Sequence, residues 1–214
     1  VGSATYSLMP RLLSMFRRRY PGVTLLLEES FPADLLQRVR DGTMDAALIR
    51  MVRHQRNPEG VNLTLLQTDH FVLAVPRGSP LAERASIRLH DLHEENFIGY
   101  SDAVSSYFRS VWAGLFHRAG FQPRVQQEAT QVQTVLSLVE SGLGLALVPS
   151  SASKYLSADL RLLEIEDIRE GPDIGVALAT SARNDMHPVL ASFARVSAQV
   201  SQDLGDGAPA TGRL

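Results

Sequence analysis

The chain has 214 residues, 44% of them apolar, and a net charge of −2. That is enough for one large domain or two lobes with proper cores, without the basic field a nucleic-acid binder carries. It has no cysteine, which excludes disulfides, thiolate metal sites and cysteine nucleophiles; no window approaches the roughly 20 apolar residues of a membrane span, and no signal-peptide pattern follows Val1.

Leu8, Met9, Leu12, Leu13, Phe16 and Tyr20 share one helical face, with Arg11, Arg17 and Arg18 off it. Pro21-Gly22 ends that helix. Val23–Glu29 reads as a mostly apolar strand of the kind found in the middle of a parallel sheet. Pro32 suits the first turn of a second helix with Leu35, Leu36 and Val39 on its apolar face, and Gly42 ends it. Asp45–Ile49 is the next strand. Leu65–Val75 is an apolar segment long enough to carry the chain from one lobe to another.

The same grammar recurs in the second half. Asn96–Gly99 reads as a strand, followed by a polar loop and an amphipathic helix carrying Phe108, Val111, Trp112, Leu115, Phe116 and Ala119. Gly120 ends it, and a short strand lies near Val125. Thr130 with Gln133 makes a capping box for a helix over residues 130–141. Gly142 closes that helix, and Leu143–Val148 is a strand. Ile174–Thr180 is a strand that can return the chain to the first lobe, where a last helix bearing Val189, Phe193, Val196 and Val200 packs. Two strand–helix units spaced alike predict two α/β lobes with parallel sheets, two crossings and a cleft between them.

The glycines of ESGLGLALVPSS do not make a nucleotide site. A dinucleotide fingerprint runs strand, glycines, helix; here helix, glycines and strand run in the opposite order. Gly142 is instead expected to cap its helix in the left-handed conformation.

Ligands in open α/β sheets bind outside the carboxyl ends of the strands. The loops there are Gly2–Ser7, Glu29–Pro32, Tyr100–Ser106 and Pro149–Ser153. Ser3, Thr5, Ser101 and Ser150 are the hydroxyls placed nearest a ligand, and taken together on one rim they predict a small polar one. Taken singly, each is an ordinary cap or turn residue. Arg50 ends the strand DAALI, where it either pairs with a ligand carboxylate or is solvated at a loop start. No catalytic residue is assigned. There is no Gly-x-Ser-x-Gly elbow, no His-Glu-x-x-His helix and no paired carboxylates. His90 and His93 offer two ligands, too few for a metal site, so no metal or cofactor is expected.

The stretches GSATYSLMPRLLSMFRRRYPGVTLLLEE, DLLQRVRDGTMDAALIR, FVLAVPRGSPLA and VQTVLSLVESGLGLALVPSS together resemble the effector-binding domain of LysR-type transcriptional regulators. The resemblance implies an α/β fold of two Rossmann-like lobes with a central cleft, the type-2 periplasmic-binding-protein-like arrangement. Lobe I is expected at residues 1–70 and 174–202, lobe II at 71–173, and a disordered tail at 203–214. It further implies that a winged helix-turn-helix domain precedes this segment, together with most of a first strand. DNA is then bound only through that missing domain, in the cytoplasm and not at a membrane.

By position, the resemblance puts effector contacts at Ser3, at Ser30, Phe31 and Pro32, at Tyr100 and Ser101, at Gln131, and at Pro149 and Ser150. Many relatives carry Ser or Thr in place of Pro32, which has neither hydroxyl nor N–H. Arg50 resembles an arginine of the branch that senses aromatic acids and muconate-like dicarboxylates, so an aromatic or dicarboxylic effector is implied. Phe31, Tyr100 and Phe108 are candidate aromatic walls. Self-association as dimer or tetramer is implied, with Leu8, Leu12, Met15 and Phe16 of one copy against Val132, Leu136 and Val139 of another. The mechanism implied is a population shift in lobe placement, with a coupling of about 1–3 kcal/mol between effector and DNA-reading heads. The rivals are a transport receptor of the same fold and an enzyme.

Overall fold

The structure is a computed structural model that describes residues 5–52, 56–101, 106–168, 174–183 and 187–205. Helix α1 (Thr5–Arg19) ends at the Pro21-Gly22 turn, and α2 (Pro32–Asp41) opens with Pro32 in its first turn and closes on Gly42 at φ +78°. Strands β1 (Ala46–Val52) and β2 (Val61–Asp69) follow. They flank β9 (Ile174–Ser181), and both pair with it antiparallel. β9 is buried along nearly its whole length, as a central strand covered on both faces should be.

The period-2 alternation of these strands sorts the first lobe into two cores. Leu48, Val176 and Leu178 pack with Leu8, Leu12 and Phe16 of α1 and with Val196 and Val200 of α5 (Pro188–Gly205). The Phe16 and Phe193 rings meet edge-on with centroids 5.0 Å apart. On the other face, Ala47, Ile49 and Ala179 pack with Leu35 and Val39 of α2. Gly175 pairs with Thr68, next to a register shift between Leu65 and Gln67. A Cβ there would run into the Gln67 carbonyl oxygen, so the strand admits only glycine beside the bulge.

The chain crosses once at His70, from β2 into β3 (Phe71–Pro76). The second lobe orders β4 (Ser86–Ile87), β8 (Leu160–Ile165), β3 and β7 (Ala146–Pro149) in one sheet. β5 (Asn96–Tyr100) and β6 (Arg124–Ala129) pair parallel beside it. Helices α3 (Ser106–Arg118) and α4 (Val132–Glu140) cover them. Phe97, Phe116 and Trp112 form an edge-on aromatic stack, with neighbouring centroids 4.8 and 4.7 Å apart.

Gly142 has φ +75°; its N–H donates to the Val139 carbonyl at 2.9 Å, and that of Leu143 to Leu138 at 3.2 Å. This pair of bonds is the Schellman closure expected of a helix-ending glycine. The second glycine of the motif has another reason. A Cβ on Gly144 would lie 2.8 Å from the Asn96 carbonyl oxygen, so its absence lets the chain press against β5, where Leu145 bridges Phe97.

Several expectations are corrected. The sheets are mixed rather than parallel, because both β1 and β2 return beside β9 antiparallel. Val23–Glu29 forms no ladder with any described strand, and it exposes 88% of Leu26 and 63% of Leu27. The strand foreseen at Leu143–Val148 begins at Ala146, because the Gly144 approach occupies the residues before it. The capping box fails: α4 starts at Val132 with Gln131 as its N-cap and no side-chain cap bond. α5 continues to Gly205, so residues 203–205 are helical rather than tail, with Leu204 packed on the first core. The residues expected at an interface through α1 and α4 lie largely within the chain's own cores. Leu8, Leu12, Phe16, Val132, Leu136 and Val139 are all under 7% exposed inside the chain's own cores, and Met15 packs against the same core. Those apolar stripes are consumed by their own sheets.

Candidate functional site

The densest polar arrangement lies at the crossing. Asp69 is the last residue of β2, opposite Ile174 of β9. Its backbone continues into His70, whose carbonyl accepts a 2.8 Å bond from the Ser150 N–H. Ser150 opens a short 3-10 turn, Ser150–Tyr155, immediately after β7. Both serine hydroxyls reach the Asp69 carboxylate, Ser150 Oγ donating to Oδ1 and Ser151 Oγ to Oδ2, each at 2.6 Å. The His70 N–H donates to Oδ1 at 2.8 Å, and that of Ser151 at 3.4 Å.

Arg50 enters from the first lobe, in the middle of β1 opposite Val176. Its Nη1 lies 3.3 Å from Asp69 Oδ2 and its Nη2 donates to Ser151 Oγ at 3.4 Å. The side chains are 16% and 7% exposed, so this ion pair is shielded from water. Burial holds Arg50 below the usual arginine value, with the Asp69 charge opposing. The charge of Arg50 also reaches Tyr100 at the end of β5. Burial pushes that phenol well above its ordinary value against the pull of Arg50, so Tyr100 stays protonated.

Beyond Tyr100 the hydrogen bonding becomes deficient. The Ser101 N–H donates to the Ala129 carbonyl at 3.2 Å, tying the ends of β5 and β6 together. Its hydroxyl Oγ is buried without a partner among the described residues, as are Gln133 Oε1 in the first turn of α4 and Trp112 Nε1 in α3. A buried polar atom left unpaired costs about 1–3 kcal/mol. Such atoms call for a partner that the described residues do not supply.

The sequence-predicted residues divide accordingly. Arg50 and Ser150 meet on Asp69, the Arg50 charge reaches Tyr100, Ser101 follows Tyr100 in the chain, and buried Pro149 leads directly into Ser150. Ser30, Phe31 and Pro32 sit at the start of α2, with Phe31 half exposed; no hydrogen bond or ring contact ties them to that group among the described residues. Gln131 is exposed at the α4 N-cap. Ser3 lies outside the described residues, as do the side chains of Thr5 and Phe108. His90 and His93 turn toward backbone, each Nδ1 within 3.3 Å of a carbonyl oxygen.

Asp69, Ser151, Trp112 and Gln133 were not foreseen as site residues. The signal for Asp69 was a carboxylate interrupting the apolar crossing segment, in Thr68-Asp69-His70-Phe71. Gln133 was read as a cap partner, a local role that its burial overrides.

A cavity of about 350 Å³ adjoins the crossing, lined in part by Asp69, His70, Ser150 and Glu164. It excludes Arg50, Tyr100 and Ser101. We place the site by the unpaired atoms, because an unmet hydrogen bond demands a partner and a void does not.

The family model of the LysR substrate binding domain matches residues 1–202. The HTH-type transcriptional regulator AlsR of Bacillus subtilis (strain 168) is 29% identical over 199 residues, 92% of this chain and 63% of that protein. TtuA of Agrobacterium vitis, also an HTH-type transcriptional regulator, is 35% identical over 154 residues, 72% of this chain and 50% of its own length. This chain therefore spans less than two thirds of those regulators. Among solved structures, the BenM effector binding domain with its effector benzoate superposes with a TM-score of 0.81 at 22% identity, covering 100% of this chain and 95% of that one. The effector binding domain of QuiR in complex with shikimate gives 0.77 at 20% identity, covering 91% and 90%. These likenesses show the two-lobe periplasmic-binding-protein-like fold.

Proposed function

Because the chain belongs to the LysR substrate binding domain family and is thus the effector-binding domain of a LysR-type transcriptional regulator, we propose that it senses a small carboxylate held between its two lobes. The observation that carries this reading is the pair of buried, unpartnered atoms Ser101 Oγ and Gln133 Oε1, beside Tyr100 and the Arg50 charge that acts on it. Ser101 and Gln133 supply hydrogen bonds to the effector's polar groups, and Arg50 faces its charge. Benzoate and shikimate, named with the two solved domains, are both ring monocarboxylates, which supports an acidic ligand; its aromatic or dicarboxylic type rests on the sequence reading of Arg50.

Lobe I comprises residues 1–70 and 174–202, and lobe II residues 71–173. Occupancy favours one placement of the lobes. That placement passes through a dimer or tetramer to a DNA-binding region elsewhere in a cytoplasmic protein. The relatives are regulators, so the transport-receptor reading is set aside. The domain performs no catalytic step in this scheme. No described helix is long and apolar enough to cross a membrane.

The test is thermal unfolding against aromatic, dicarboxylic and hydroxylated carboxylic acids. A ligand at a hundred times its Kd adds about 2.7 kcal/mol. The shift should vanish in Arg50→Ala and shrink in Ser101→Ala. A shift that Arg50→Ala leaves intact moves the effector to a neutral class, and a panel without any shift sinks carboxylate sensing.

A further inference from the structure

We infer that Asp69 is an internal carboxylate that competes with the effector for Arg50, and so decides which effectors the site accepts. This rests on the carboxylate-sensing reading above. The Asp69 carboxylate is held by groups other than Arg50. Asp69 is bound at 2.6 Å by each of two serine hydroxyls and at 2.8 Å by the His70 N–H, whereas Arg50 reaches it at 3.3 Å. If the guanidinium turns away, the carboxylate keeps its short bonds. Arg50 is a cation shielded from water that also donates to Ser151 Oγ at 3.4 Å, and its charge requires an anion beside it. It can leave Asp69 for another carboxylate but not for a neutral group. An acidic effector offers that replacement, and a neutral one leaves the internal pair in place.

The exchange is also placed where it can be felt. Arg50 belongs to β1 of the first lobe, Ser150 and Ser151 to the turn after β7 of the second, and Asp69 to the residue before the chain crosses between them. The ion pair and the serine bonds together tie both lobes to the crossing. Turning Arg50 toward an effector removes one strand of that tie and keeps the other. Asp69 is thus a positioning residue, acting on the effector through Arg50.

The experiment is isothermal titration of this chain with benzoate and with its neutral amide, benzamide, as a probe pair. Asp69→Asn keeps the shape and one accepting oxygen for a serine hydroxyl, turns the other contact into an amide N–H donated to the second serine oxygen, and removes the competing charge. It should bind benzoate at least ~5-fold more tightly than the unsubstituted chain, with benzamide unchanged. Ser150→Ala strips Asp69 of a 2.6 Å donor and makes it depend more on Arg50, so the ratio of benzoate to benzamide affinity should fall by a similar factor. These opposite signs are the signature, and Ser150→Ala carries the test if Asp69→Asn does not fold. The inference is overturned if Asp69→Asn gains nothing for benzoate, if both probes move together, or if neither protein binds benzoate. Arg50→Ala separates the failures. Benzoate binding that survives it removes the carboxylate reading itself. Binding lost in Arg50→Ala without a gain in Asp69→Asn removes only the competition.

Discussion

Around the Asp69 carboxylate, donors converge from both lobes: two serine hydroxyls, two backbone N–H groups and a guanidinium. At the ends of β5 and β6, Ser101 Oγ and Gln133 Oε1 are equally buried and have no partner among the described residues. The first lies at the crossing between the lobes; the second lies in the second lobe, just after β5 and in the first turn of α4. The first is complete without a ligand and holds the crossing together. The second is a deficit that the folded chain tolerates. A complete network stabilises and a deficient one waits for a partner, so the two should respond oppositely to substitution.

The largest expected effect is at the complete network. Asp69→Ala leaves Arg50 buried beside the serines without its carboxylate, and should cost about 3–5 kcal/mol of stability in chemical denaturation. A loss under 1 kcal/mol would show that water reaches Arg50 and that the crossing does not depend on the pair.

Tyr100 links the two regions and gives a pH effect of intermediate size. Burial raises its pKa in the folded state above the ordinary value of 10.0. Below that value the phenol is neutral in both states and stability is unaffected. Above it the unfolded chain loses the proton first, so this residue removes up to about 1.4 kcal/mol per pH unit as the solution becomes more alkaline. Tyr100→Phe should flatten that part of the alkaline loss. An unchanged profile would place the phenol in contact with solvent.

The smallest effect belongs to the deficient region. Ser101→Ala and Gln133→Leu each remove an unsatisfied buried atom, so stability should stay the same or rise by about 1 kcal/mol. Ligand affinity should fall in the same proteins. A clear loss of stability in Ser101→Ala would mean that its hydroxyl is already bonded, and the contrast between the regions would disappear.

Much of the local structure was legible before folding was considered. The apolar stripes of Leu8, Leu12 and Phe16 and of Leu35 and Val39 announce α1 and α2, because helical periodicity is a local property. Gly42 and Gly142 announce helix ends, because a left-handed residue is needed there. The crossing within Leu65–Val75 and the return strand at Ile174 were likewise visible as apolar runs. Less legible was what each stripe packs against. The faces of α1 and α4 looked like surplus for a partner, yet their own sheets bury them. Val23–Glu29 has strand composition but no described neighbour to pair with, and composition carries no information about neighbours.

The site shows the same division. Tyr100, Ser101 and Ser150 were found because they fall at strand ends, a rule that depends on order along the chain, and Arg50 because the sequence puts a strand end there, although β1 runs on to Val52. Gln133 escaped it because its burial depends on how α4 packs, and Asp69 because it sits within an apolar segment. The sequence by itself determined the helices, their glycine-closed ends and the apolar segment that carries the crossing, all through spacings of a few residues. Only the tertiary structure decided that β1 and β2 pair antiparallel with β9 and that Arg50 meets a carboxylate of its own chain. Its partners Asp69 and Ser151 lie 19 and 101 residues away, and at such separations proximity is set by sheet register and packing rather than by any local preference of the chain.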